Sequence, residues 1–156
     1  MKSEILNKIK EVLTAHDNIA FAYVFGSFIT AQKKISQSDK IVFNDIDVAV
    51  YFTNPRIAGE NKFVLADSEK YKLNNSLLLE LRIENELEEI LHTPVDVRII
   101  NSSPLAFQYN VIKSGIVIID RDKNMRADFE GLTFKKYFDY VYIRNEYLKN
   151  IVNAPI

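Results

Sequence analysis

Asn44-Asp45-Ile46-Asp47-Val48-Ala49-Val50-Tyr51-Phe52 changes chemistry at every second residue. On an extended chain Asp45, Asp47, Ala49 and Tyr51 fall on one side and Ile46, Val48, Val50 and Phe52 on the other, which predicts a half-buried strand. Two carboxylates two residues apart on a strand lie about 6 to 7 Å from each other along one face, close enough to share a pair of divalent cations. An edge strand with two solvated acids would show the same letters. Against that reading stand the poor strand propensity of Asp and the cost of charge beside a Val/Ile-rich run.

Upstream, Ile19 to Phe25 is apolar throughout and reads as a strand covered on both faces, ending abruptly at Gly26-Ser27. A helix over residues 3–14 precedes it, with Ile5, Leu6, Ile9, Val12 and Leu13 as its stripe. A short helix from Ser27 to about Lys34 follows it, and then a polar loop from Lys34 to Lys40. Glycine at a strand-to-helix turn lets an anion approach the backbone, and the Ser hydroxyl adds a donor, although a purely structural turn would look alike.

Downstream, Leu73, Leu77, Leu78, Leu81, Leu87, Ile90 and Leu91 recur at helical spacing between about Ala66 and Leu91, as one helix or as two broken near Asn74-Asn75. Glu80, Glu84 and Glu88 step along it by four and read as a solvated face. Pro94 opens a strand, Val95 to Ile100, that alternates Val95, Val97 and Ile99 with Asp96 and Arg98. Asp96 could share the sheet face of Asp45 and Asp47, and a cluster of three carboxylates invites cations; it could equally form a salt bridge, with Arg98 the nearest candidate. A helix over 104–114 packing Leu105, Val111 and Ile112, a strand over Ile116 to Ile119 and a helical tail from Met125 to Val152, interrupted near Gly131, complete the chain. The tail holds seven of the eighteen aromatic residues, assigned mainly to the core with some free to face a protein partner. Helices alternating with three or four short strands give an α/β class in the broad sense, helices covering one small sheet.

Composition narrows the chemistry. Residues 1–156 suit one domain, and 47% apolar with 26% charged residues excludes low-complexity disorder. Twenty Lys and Arg against 21 Asp and Glu leave a net charge of -1, so no overall positive field draws the protein to nucleic acid or an anionic membrane, and stable nucleic-acid binding is not expected. The absence of Cys removes disulfides, thiolate zinc sites and thiol nucleophiles. His16 and His92 are too few for a zinc cage and take no role, so any metal must have oxygen ligands, as Mg or Mn does. No stretch approaches the roughly 18 apolar residues of a membrane span, and a cytoplasmic protein is the expectation.

A strand followed by Gly26-Ser27, an Asp-x-Asp strand at Asp45 and Asp47, and a third Asp at Asp96 on a later strand together resemble the DNA polymerase β-like nucleotidyltransferase superfamily. The chain looks most like its minimal nucleotidyltransferases, the antitoxins of HEPN-MNT toxin-antitoxin pairs. The likeness extends through Pro104 to Ser114, Gly115 to Asp122 and the aromatic helix Phe134 to Leu148, so it spans nearly the whole chain. It implies a polymerase β-like α+β fold with a small mixed sheet, in a single domain of residues 1–156 with a helical tail over about 125–152. It further implies two Mg ions held by Asp45, Asp47 and Asp96, the last able to take the nucleophile's proton, and Gly26 and Ser27 cradling the β and γ phosphates of ATP. The reaction implied is in-line transfer of AMP to a hydroxyl, a tyrosine of a cognate HEPN toxin, silencing it; a homo- or hetero-oligomer is compatible with this. Seventeen residues separate Ser27 from Asp45, more than in relatives of this kind, so Gln32 to Phe43 reads as an insertion beside the phosphate site. Phe28, Ile29 and Thr30 stand where the family often has Arg and Gly; Lys33, Lys34 or Lys40 could replace that charge, or form a solvated loop. Two alternatives stay open: a transferase acting on a small hydroxylated molecule of aminoglycoside type, and a binding module that neutralises its partner by contact.

Overall fold

The computed structural model describes residues 2–30, 45–53 and 68–152, with side chains described from Leu77 to Ile151 in the last stretch. The candidate insertion Gln32 to Phe43 lies outside the described residues. Elements run α1 (Lys2–Thr14), β1 (Ile19–Phe25), α2 (Gly26–Thr30), β2 (Ile46–Phe52), α3 (Ser68–Leu91), β3 (Val95–Ile99), α4 (Leu105–Ser114), β4 (Ile116–Asp120) and α5 (Lys123–Val152). The four strands form one mixed sheet in the order β3-β2-β1-β4; β1 runs antiparallel to β2 and β4, and β2 runs parallel to β3. The parallel step needs a crossover, and α3 provides it.

Side-chain alternation along each strand divides the core between the two sheet faces. Ile46, Val48, Val50 and Phe52 join Ile19, Ala22, Val24, Val95 and Val97 beneath α1 and α3. On the other face Ala20, Phe21, Tyr23, Ala49 and Ile100 meet Val111, with Phe107, Met125 and Phe129 packed against them. Ala49 is fully buried, so β2 is covered on both faces through its middle; the expected half-buried strand is corrected here, because α4 and α5 close the side that carries the acids. Among the described residues the acidic end of that side is more open, with Asp45 exposed and Asp47 half-buried.

In α3 the packing stripe also differs from expectation. Ile83 and Leu87 are fully buried, with Leu79 and Leu91 beside them, while Leu77, Leu78, Leu81 and Ile90 are exposed. The rotation has a cause at the sheet edge. Glu80, Glu84 and Glu88 accept hydrogen bonds from the backbone N–H groups of Ile99, Val97 and Val95 at 2.8, 3.0 and 3.0 Å. Four helical residues rise about 6 Å and two strand residues about 6.6 Å, so an antiparallel helix can match one glutamate to each outward N–H of an edge strand. These glutamates are therefore edge caps, which corrects their reading as a solvated face. The α3 backbone is one continuous helix across Asn74-Asn75.

The helical tail is uninterrupted, contrary to the break expected at Gly131. A mid-helix glycine costs roughly 1 kcal/mol, less than its neighbours supply. Asp122 caps the start of α5 through a 2.9 Å bond from the Met125 N–H, and Arg126 bridges Asp120 at 3.0 Å and Glu130 at 2.8 Å. Tyr23 donates to Glu130 at 2.6 Å, tying the helix to the centre of the sheet. One turn beyond, Thr133 is buried and Tyr137 stacks on Tyr109 with centroids 3.7 Å apart. No described helix is long and apolar enough to cross a membrane.

Candidate functional site

The open end of the acidic face lies where β1 stops and β2 starts. Phe25 pairs with Asp47 across the antiparallel β1–β2 ladder, and Asp47 pairs with Asp96 across the parallel β2–β3 ladder. Adjacent strands sit about 4.8 Å apart, so this register sets the second and third acids of the sequence motif side by side, on neighbouring strands and the same face. Asp45 is exposed immediately before β2.

Asp47 is the most confined of the three. Burial raises its pKa above the ordinary Asp value, and the charges of Asp45 and then Asp96 raise it further. No basic side chain pairs with Asp45 or Asp47 among the described residues; Asp96 does have one, with Arg98 Nε 3.0 Å from Oδ1 and Nη2 donating to Oδ2 at 3.4 Å. Both oxygens of Asp96 thus face the guanidinium. Correspondingly, no three acidic or imidazole side chains among the described residues converge as a ready-made metal cage.

Gly26 turns the chain from β1 into α2 with φ of +71°, in the left-handed region. A Cβ at this position would fall onto the Asp47 carboxylate. Glycine is required twice over, by the backbone angle and by the close approach to an acid. Ser27 follows as an exposed residue of α2, whose described part ends at Thr30, and Phe28 buries itself in the core beneath. The turn is thereby fixed beside the acids while its serine faces solvent.

Other sequence candidates are accounted for elsewhere. His16, given no role from the sequence, forms a 2.8 Å contact with Glu86 that links α1 to α3. For Glu86, burial pushes the pKa up, but the bonds from His16 and Arg82 prevail and hold the carboxyl below its ordinary range. Sequence reasoning missed Arg121, which donates to the carbonyls of Thr14, His16 and Ile19 and closes the α1–β1 turn. It also missed the Tyr23–Glu130–Arg126 chain; the four-residue spacing of Arg126 and Glu130 was its one visible signal.

A small mixed sheet with helices on both faces thus carries carboxylates on two adjoining strands, with a glycine turn against one of them. The sequence pattern of the polymerase beta nucleotidyltransferase family matches residues 7–124. The chain belongs to that family and is a nucleotidyltransferase in class. Its fold is similar to a chain of the complex of tri-AMPylated Shewanella oneidensis HEPN toxin with MNT antitoxin, with TM-score 0.63, 17% identity, and coverage of 97% of this chain and 99% of that one. The MntA–HepT toxin–antitoxin structure gives TM-score 0.61 at 16% identity, covering 96% and 98%. A toxin–antitoxin structure with AMP-PNP gives 0.61 at 18%, covering 94% and 98%. No match among curated proteins was found for the sequence.

Proposed function

We propose that the protein is a Mg-dependent adenylyltransferase that moves AMP from ATP to a tyrosine hydroxyl of a HEPN-type toxin, and so acts as its antitoxin. The observation that carries this reading is the side-by-side register of Asp47 and Asp96 with Gly26 held against Asp47. Support for the acceptor comes from the structural neighbours, one of which contains an AMPylated HEPN toxin and another AMP-PNP. We read residues 1–156 as one catalytic domain whose tail helix leaves Phe138, Tyr140, Tyr142 and Tyr147 exposed to a protein partner.

The donor set fits the metal. Three carboxylates, all oxygen donors, suit Mg; burial raises the pKa of Asp47 first, and the charges of Asp45 and Asp96 add a repulsion that a divalent cation would relieve. Asp45, Asp47 and Asp96 would hold it. Bound Mg neutralises phosphate charge and makes a coordinated hydroxyl more acidic. The chain's own part is positioning. Gly26 admits the β and γ phosphates to the α2 turn, where the Ser27 hydroxyl donates to them, and Asp96 accepts the proton of the attacking tyrosine. The tyrosine oxygen forms its bond to the α-phosphorus as the bond to the β-phosphate oxygen breaks, and pyrophosphate leaves on the opposite side.

Incubation with α-labelled ATP, Mg and an all-helical HEPN partner encoded beside the gene tests the reading. Label is expected on the partner, and Asp47→Ala is expected to abolish it. Labelling that survives Asp47→Ala would overturn the mechanism.

A further inference from the structure

We infer that Arg98 is a built-in counter-ion for Asp96 and competes with a divalent cation for that carboxylate. The inference rests on the cation-binding reading above and adds a residue to it. Among the described residues Arg98 is the cation paired with any of the three acids, and it engages both oxygens of Asp96. Asp96 and Arg98 stand at i and i+2 on one face of edge strand β3, with side chains 42% and 52% exposed respectively, so the pair buries little and contributes little packing. Arg98 offsets the charge of Asp96, one of the two carboxylates beside Asp47.

A carboxylate with both oxygens facing a guanidinium offers a cation beside Asp47 only its remaining lone pairs and a partly offset charge. Arg is charged at every ordinary pH, so this competition does not switch off by deprotonation. Exposed ion pairs are weak, so the barrier to exchange is small and the effect on affinity modest, about two- to fivefold.

Titration of the full chain with Mn2+ alone, followed by the loss of free-ion paramagnetic signal, tests the proposal without any turnover. Arg98→Ala, and Arg98→Gln as a variant retaining more of the side chain, are expected to bind Mn2+ about two- to fivefold more tightly than the parent. In an Asp96→Asn background the same replacements are expected to change nothing, because the coupling runs through that carboxylate. A purely structural Arg98 predicts weaker binding on its removal. Unchanged or weaker binding overturns the proposal, and so does a gain that persists with Asp96→Asn, which would mark a general charge effect. If the parent binds Mn2+, Asp47→Asn does not, and Arg98→Ala has no effect, the Arg98 role falls alone. If the parent binds no Mn2+, the cation reading falls with it.

Discussion

Asp47 holds a charge that its surroundings oppose, and the opposition defines its behaviour. Its folded pKa lies above the unfolded value of 3.8, with burial first and Asp45 and Asp96 next as causes. Between those two values the folded state binds more protons than the unfolded chain, so the metal-free fold gains stability as pH falls through the raised pKa. Asp47→Asn is therefore expected to raise the melting temperature of the metal-free protein at pH 7, with the advantage shrinking as the pH is lowered into the range where Asp47 protonates. On the proposed mechanism the same variant should lose at least about a hundredfold in nucleotide transfer, since Asp47 would be one of the cation's ligands. Calorimetry across pH and a labelling assay check the two halves separately. Gly26→Ala should fail in the opposite sense: positive φ and collision with Asp47 cost on the order of 1–3 kcal/mol, read by urea denaturation.

Among the elements, α3 and α5 hold the sheet at its edge and centre by polar contacts that their apolar patterns do not reveal. Glu80, Glu84 and Glu88 of α3 each satisfy a β3 N–H that would otherwise offer an open edge to another strand. Glu84→Ala should cost about 1–2 kcal/mol in urea unfolding, and Glu84→Gln, which keeps an acceptor oxygen, clearly less. For α5 the key residue is Arg126, joined to both Asp120 and Glu130. The Arg126 hydrogen bond pulls the Asp120 carboxyl below its ordinary pKa, despite a smaller upward push from burial. That contribution to stability is complete above the unfolded value of 3.8 and is lost as pH falls through the lowered one. Arg126→Ala should remove about 1.5–3 kcal/mol, and hydrogen exchange should show the first turns of α5 opening. The stability of that variant should also fall less on acidification than the parent's.

At the scale of the fold, and among the described residues, helices cover both faces of the sheet and leave its acidic end more open, and α5 carries aromatic surface away from the core. Phe129 lies against Phe21 and Tyr51, and Phe134 and Tyr137 lie against Tyr109, whereas Tyr142 and Tyr147 are 69% and 65% exposed. Replacing Tyr142 and Tyr147 together by Ser should move folding stability by no more than about 0.5 kcal/mol each, measured by thermal melting, because neither ring is part of the core.

Local pattern was sufficient for the strand and helix types, the α/β class and the Asp45, Asp47, Asp96, Gly26 and Ser27 candidates, since period-2 and period-3.6 burial and turn chemistry are properties of short windows. What lay beyond it depends on which groups meet across the fold. The glutamates at steps of four look solvated until an edge strand of matching rise lies beside them, and Gly131 looks like a helix stop until Arg126, Thr133 and Tyr137 hold both sides of it. Asp96 looks like a third ligand in the sequence, and only strand register sets it beside Asp47. The same register leaves it paired with Arg98, because parallel strands align residues by backbone hydrogen bonds whose offset no single strand encodes.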